Sequence, residues 1–273
     1  MTLMVISTFC AAGMIAIIRH LSSTLHPFEV ALFRIFFGLI ALLPLLLRHG
    51  IGPLKTKRYG IHAIRGVCSS LTVTLSFWAI ALAPLAKVMA INFGAPLFAT
   101  VIAIVILGEV FRMRRAVALA VGFSGMIVIL RPGIAEIEVG VWIALLASIA
   151  WAGEMTVIKI LVRTETSLQT TFYMALTATP IVLLFALPVW QTPTWTELGW
   201  LAVVGALGSL AHLCFAQAFK ESDMTAVLPL KYLQLVWVAG VGFIGFGEVP
   251  DMWTWVGAAL IVAGAGYFAL RER

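Results

Sequence analysis

Two stretches of this chain are versions of one another. Ala83 through Gly108-Glu109 to Arg131 is matched by Ser222 through Gly247-Glu248 to Leu270, an offset of 248 − 109 = 139 residues. The same offset carries Asn92 onto Lys231 and Gly125 onto Gly264. Upstream, Gly13 and Arg19 meet Gly153 and Lys159 at an offset of 140, so one insertion reconciles the copies. A chain written twice must fold as two related halves, which the spacing places at residues 1–133 and 134–273.

The material of each half is apolar. Hydrophobic residues make up 62 % of the chain and charged ones 11 %, with a mean hydropathy of +1.07, against roughly 45–50 % and 25 % in ordinary globular proteins. Such a chain has too few charges to cover a water-soluble exterior. A bilayer core about 30 Å thick needs about 20 apolar residues per helix, so 273 residues hold about ten spans and no sizeable soluble domain. Met1 leads straight into an apolar run, with no basic segment and no small-residue cleavage site, so the natural N-terminus is expected to be very short or trimmed. Cys10, Cys68 and Cys214 sit inside apolar runs at spacings that suit packing rather than a disulfide framework or a zinc site.

The apolar runs predict helices at 2–18, 27–47, 60–81, 86–107, 115–131, 139–160, 168–190, 197–219, 224–247 and 252–270. The expected fold is all-α and integral to the membrane: ten spans in two five-helix repeats. Basic residues orient it. With both termini cytoplasmic, eleven Lys and Arg fall on inner loops and the tail, and only Arg19 and Arg131 on outer ones, as the positive-inside rule requires. That bias accounts for the net charge of +6 without nucleic acid. An odd number of spans per repeat inverts the second copy, and inverted repeats are the usual basis of alternating access around a midplane site.

The run Ala226-Val227-Leu228-Pro229-Leu230-Lys231-Tyr232-Leu233-Gln234, then Phe246-Gly247-Glu248 and Trp255-Val256-Gly257, resembles the second EamA repeat of the drug/metabolite transporter superfamily. Ala95-Pro96-Leu97-Phe98, Leu107-Gly108-Glu109 and Gly122 to Gly125 resemble the first. The resemblance implies a ten-helix carrier of small metabolites in the inner membrane. Its central cavity would be lined by spans three, four, eight and nine with one and six. Among members, bacterial exporters of amino acids, aromatic ones included, look most similar.

Charges inside a membrane are costly and mark function by default. Lys231 could meet a substrate carboxylate or snorkel to the interface, and Gln234 shares its face one turn on. Asn92 is its repeat counterpart; Pro96, four residues later, has no amide hydrogen for the Asn92 carbonyl. Amide and carbonyl together could bind an ammonium or hydroxyl, or serve an interhelical bond. Glu154, deep in the sixth span, could bind an amino group, carry a coupling proton, or pair with a base. Arg34 reads as a structural charge, and Lys87 and Lys159 as interfacial anchors. Trp78, Trp151, Tyr232 and Trp237 are candidates for apolar site walls, though each also suits packing. His212 continues a small face formed by Gly205, Gly208 and Ser209, which serves either close packing or ligand room.

These features together point to a secondary transporter exporting small metabolites, most plausibly amino acids, through a central cavity. The alternative is uptake of a nucleotide-like or vitamin metabolite. An intramembrane enzyme would need a constellation such as HExxH or GxSxG, and neither occurs. A channel would need rings of charge or a carbonyl filter. No cofactor is expected. The partners are a small-molecule substrate and the lipid bilayer, and a monomer is the simplest assembly because both repeats are already fused.

Overall fold

The computed structural model describes residues 2–49, 56–107, 113–131, 138–161, 164–221 and 233–271. These form eleven α-helices: α1 Thr2–Leu21, α2 Pro27–His49, α3 Tyr59–Leu82, α4 Leu85–Asn92, α5 Ala95–Leu107, α6 Met113–Leu130, α7 Val139–Leu161, α8 Ser167–Ala186, α9 Trp195–Glu221, α10 Leu233–Phe246 and α11 Met252–Arg271. Six of them are long and apolar enough to cross a membrane. The outward-facing residues are apolar too, with Val105 75 %, Leu184 68 % and Ile244 85 % exposed. That is the inside-out surface that lipid demands. Trp190, Trp195, Trp200, Trp253 and Trp255 are all exposed at one end, as an interfacial belt would be.

The fourth span departs from its expected continuity. It is broken into α4 and α5 at Phe93-Gly94. The N–H of Gly94 reaches back only to the Ile91 carbonyl, at 2.9 Å, and α5 restarts with Leu97 N–H on the Gly94 carbonyl. Pro96 explains the break, since it offers no donor to Asn92. The Cε of Met126 fills the space where a Cβ on Gly94 would stand. The seventh span ends in a short 3₁₀ turn, Leu187–Val189, around Pro188.

Helix contacts come in pairs that exchange when each helix is replaced by its counterpart in the other copy. The α3–α7 contact matches α9–α1, the α2–α9 contact matches α8–α3, and α5–α7 matches α10–α1. The α2–α8 and α6–α11 contacts map onto themselves. The correspondence reaches single residues. A Cβ on Gly66 would strike Thr177 of α8, and one on Gly205 would strike Phe37 and Gly38 of α2. Gly66 and Gly205 stand 139 apart, as do Gly38 and Thr177. Gly13 beside Leu207 and Gly153 beside Cys68 form a second matched pair. At α6–α11, Gly125 and Gly257 face each other so closely that a Cβ on either would lie 2.6 Å from the other's carbonyl oxygen.

Polar links show that the repeats are inverted. Arg19, near the end of α1, meets Glu248, while Lys87 at the start of α4 meets Glu138 just before α7, both at 2.9 Å. Helix α7 therefore begins at the end of the bundle where α1 finishes.

That end is tied by a clamp whose parts follow from the Gly-Glu motif. Gly247 stops α10 with φ 65°, the left-handed conformation that glycine adopts without strain. The Glu248 N–H then closes on the Gly242 carbonyl at 3.0 Å. This turn aims the Glu248 carboxylate inward, where Oε1 accepts from Arg19 and Oε2 from the Leu85 N–H at 2.7 Å. Arg19 also donates to the carbonyls of Ile80 and Ala83. One ion pair thus joins α1, α3, α4 and α10. Arg131, at the end of α6, pairs with Asp251, whose other oxygen caps α11 by accepting from Thr254 N–H at 2.8 Å. Gly108-Glu109, the first copy of the motif, lies outside the described residues.

Candidate substrate-binding site

Glu154 is 5 % exposed on α7, in a helix otherwise almost wholly apolar. A lone buried carboxylate would be prohibitively costly, so charges of opposite sign should accompany it. Two do. Arg34 of α2 and Arg65 of α3 are 8 % and 3 % exposed, and the Glu154 charge acts on both guanidiniums and on the Cys68 thiol. Arg34 is held against the small face of α9, its Nε 3.1 Å from where a Cβ on Gly208 would lie. Arg65 places Nη2 4.0 Å from the Met174 sulfur of α8. Its Nε and Nη1, and the Nε of Arg34, are buried without a hydrogen-bond partner among the described residues. The triad holds two positive charges and one negative, with guanidinium donors unspent. It is chemically complementary to a solute bearing both a carboxylate and a cation.

Sequence alone does not single out Arg65. The signal was present, a charge two turns inside an apolar run, but its nearness to the basic 55–58 segment makes it resemble one more inner-loop base. Arg34 is buried as expected of a structural charge, yet it faces the same acid as Arg65.

The other candidates divide. Asn92 ends α4 at the break, 6 % exposed, with its Oδ1 buried and unpartnered. Gln234, at the start of α10, sets its amide 3.9 Å from the Met89 sulfur, one turn before Asn92. These two residues flank the α4–α10 seam. Trp151 is half-buried on α7, one turn from Glu154. Trp78 is held edge-on to Phe28, at 5.4 Å, in a ring cluster with Phe185. Trp237, 37 % exposed, stands edge-on to Phe9 at 5.9 Å. His212 is half-buried, one turn beyond the α9 stripe where Ser209 donates to the Gly38 carbonyl at 3.0 Å. That stripe is used for close packing on α2. Lys231 and Tyr232 lie outside the described residues.

A cavity of about 130 Å³ sits behind the clamp, lined by Lys87, Ala239, Gly242, Glu248 and Asp251 among others. Metabolite sites run to roughly 300–1,000 Å³, so this space suits a few waters and not the solute.

A family model described as the EamA-like transporter family matches residues 1–131 and again 138–270. The chain belongs to the EamA-like transporter family. It is a multi-pass membrane transporter and not an enzyme. Curated relatives of this EamA-like transporter include the S-adenosylmethionine uptake transporter of Rickettsia prowazekii, 34 % identical over 93 % of the chain and 87 % of the relative. The riboflavin transporter of Vibrio cholerae is 31 % identical over 89 % and 83 %. The pseudopaline exporter of Pseudomonas aeruginosa is 30 % identical over 95 % and 92 %. A solved crystal structure superposes with a TM-score of 0.64 at 18 % identity, covering 97 % of the chain and 96 % of its own. That likeness supports the fold.

Proposed function

We propose that this EamA-like transporter takes up a metabolite carrying an amino-acid group, of the S-adenosylmethionine type, across the bacterial inner membrane. The observation that carries the reading is the buried triad of Glu154 with Arg34 and Arg65. A guanidinium with unspent donors suits an α-carboxylate. Glu154 suits the ammonium or sulfonium charge, and Trp151 one turn away offers an aromatic face to a cation or an adenine ring. Asn92, with an unspent amide oxygen, could accept from an exocyclic amine. The Arg58 end is the cytoplasmic one by its basic residues. The expected export of free amino acids shifts to uptake of a larger molecule that contains one, a shift supported by the names of the relatives.

Counterflow in proteoliposomes tests this. Labelled S-adenosylmethionine should exchange saturably, while methionine, threonine, phenylalanine and tryptophan compete weakly. Exchange of riboflavin with none of S-adenosylmethionine would overturn the reading. Exchange of tryptophan or threonine alone would return it to a plain amino-acid carrier.

A further inference from the structure

A second buried polar cluster lies between α3 and α8, nearer the Arg58 end than Glu154. His62, one turn into α3, is 1 % exposed. Its Nε2 is 3.9 Å from Oε2 of Glu165, in the turn leading to α8, and the Glu165 side chain is 7 % exposed. The other carboxylate oxygen of Glu165 accepts from the Thr56 hydroxyl at 2.8 Å. The His62 ring lies on Tyr173 at a centroid distance of 4.7 Å, and Tyr59 closes the outer side of Tyr173 at 6.0 Å.

Among the described residues, neither imidazole nitrogen has a hydrogen-bond partner. A neutral imidazole always presents one donor and one acceptor, so this burial leaves both unspent beside a carboxylate just beyond hydrogen-bond range. One added proton changes that. Imidazolium and Glu165 become an ion pair, and a contraction of about 1 Å would complete a charge-assisted bond. Among the charges near the ring, Glu165 comes from the turn before α8, Arg65 follows one turn along α3, and Lys57 and Arg58 precede the helix; α7 carries Glu154 and α2 carries Arg34, while Arg19 of α1 and Lys87 of α4 belong to the opposite end.

We propose that His62 and Glu165 form a proton-binding site that couples solute movement to the proton gradient. The proton acts on a seam between the two repeats. Helices α3 and α8 cross closely at Gly66 and Thr177, and the Thr177 hydroxyl lies 3.4 Å from the His62 carbonyl. The proposal needs transport activity but no particular solute.

Two measurements test it on the full-length protein. In the first, histidine-labelled protein is titrated by NMR, with His62→Gln used to assign the signal. His62 should take up a proton as the pH is lowered, and Glu165→Gln should displace its midpoint. A ring that stays neutral throughout, or a midpoint untouched by Glu165→Gln, overturns the site whatever the solute. In the second, proteoliposomes are given labelled S-adenosylmethionine as the probe. His62→Gln should keep counterflow without a pH gradient and lose gradient-driven accumulation. Accumulation equal to wild type overturns the coupling, as does wild-type accumulation that ignores the gradient. Loss of both activities in folded His62→Gln and Glu165→Gln alike would mark a structural pair and also overturn it. Should the wild type fail to move this probe, the solute assignment falls while the titration still decides the site.

Discussion

Removing the charge of Glu154 leaves two buried guanidiniums without their acid. Glu154→Gln should therefore cost substrate affinity about 1.5–3 kcal/mol, the worth of a charge-assisted hydrogen bond, or about ten- to a hundredfold in the half-saturating concentration. Arg65→Gln should lose affinity for solutes with a carboxylate more than for the same solutes amidated, and competition assays would separate the two. Equal losses for both would remove Arg65 from carboxylate binding. Glu154 and Asn92 stand out in the sequence as candidates because a polar residue in a long apolar run has few neutral explanations, whereas Arg34 reads there as a structural charge. Arg65 and His62 are harder to read, because position near a helix end looks the same whether the side chain reaches water or is held between two helices. Their burial is decided by α8, more than 100 residues away in the chain, and no local pattern reports that.

Helix crossings in this bundle rest on absent side chains. A Cβ on Gly205 would come 2.5 Å from the Phe37 Cβ and 2.8 Å from the Gly38 nitrogen, and backbone cannot step aside cheaply. Gly205→Ala should destabilise by about 1–3 kcal/mol, the usual penalty of overpacking, seen as a lower melting temperature in detergent. Gly240 has nothing within 4 Å of its Cβ position, so Gly240→Ala should be neutral or stabilise by up to about 1 kcal/mol through helix propensity. The element boundaries were largely legible from apolar runs and proline positions. The α4–α5 break was legible only in part: Pro96 announces a weak point, but whether a span bends or separates depends on packing by Met126 and Leu97. At the Arg19 clamp, Arg19→Glu should impair transport, and the double exchange Arg19→Glu with Glu248→Arg should restore part of it. No restoration would mean that the Leu85 N–H and the Ile80 and Ala83 carbonyls, rather than the ion pair, set the geometry.

Among the described residues, the largest helix contacts of the molecule exchange in pairs or map onto themselves. The internal echo made two inverted halves readable, because five spans per copy can return the chain only upside down. The identity of the solute was not readable in this way, since it depends on a few groups meeting from α2, α3 and α7. The sequence carries Lys159 and Glu109 where the other copy has Arg19 and Glu248. Weakening the clamp with Arg19→Gln should raise labelling of cysteines introduced behind it, and Lys159→Gln should lower that labelling; a fall or no change for the first, or a rise or no change for the second, would refute this balance. If Lys159 and Glu109 close the opposite end as Arg19 and Glu248 close this one, the two end states have similar free energy. The solute then needs only a small preference between them to shift the populations, and the direction of net movement is left to the gradients outside.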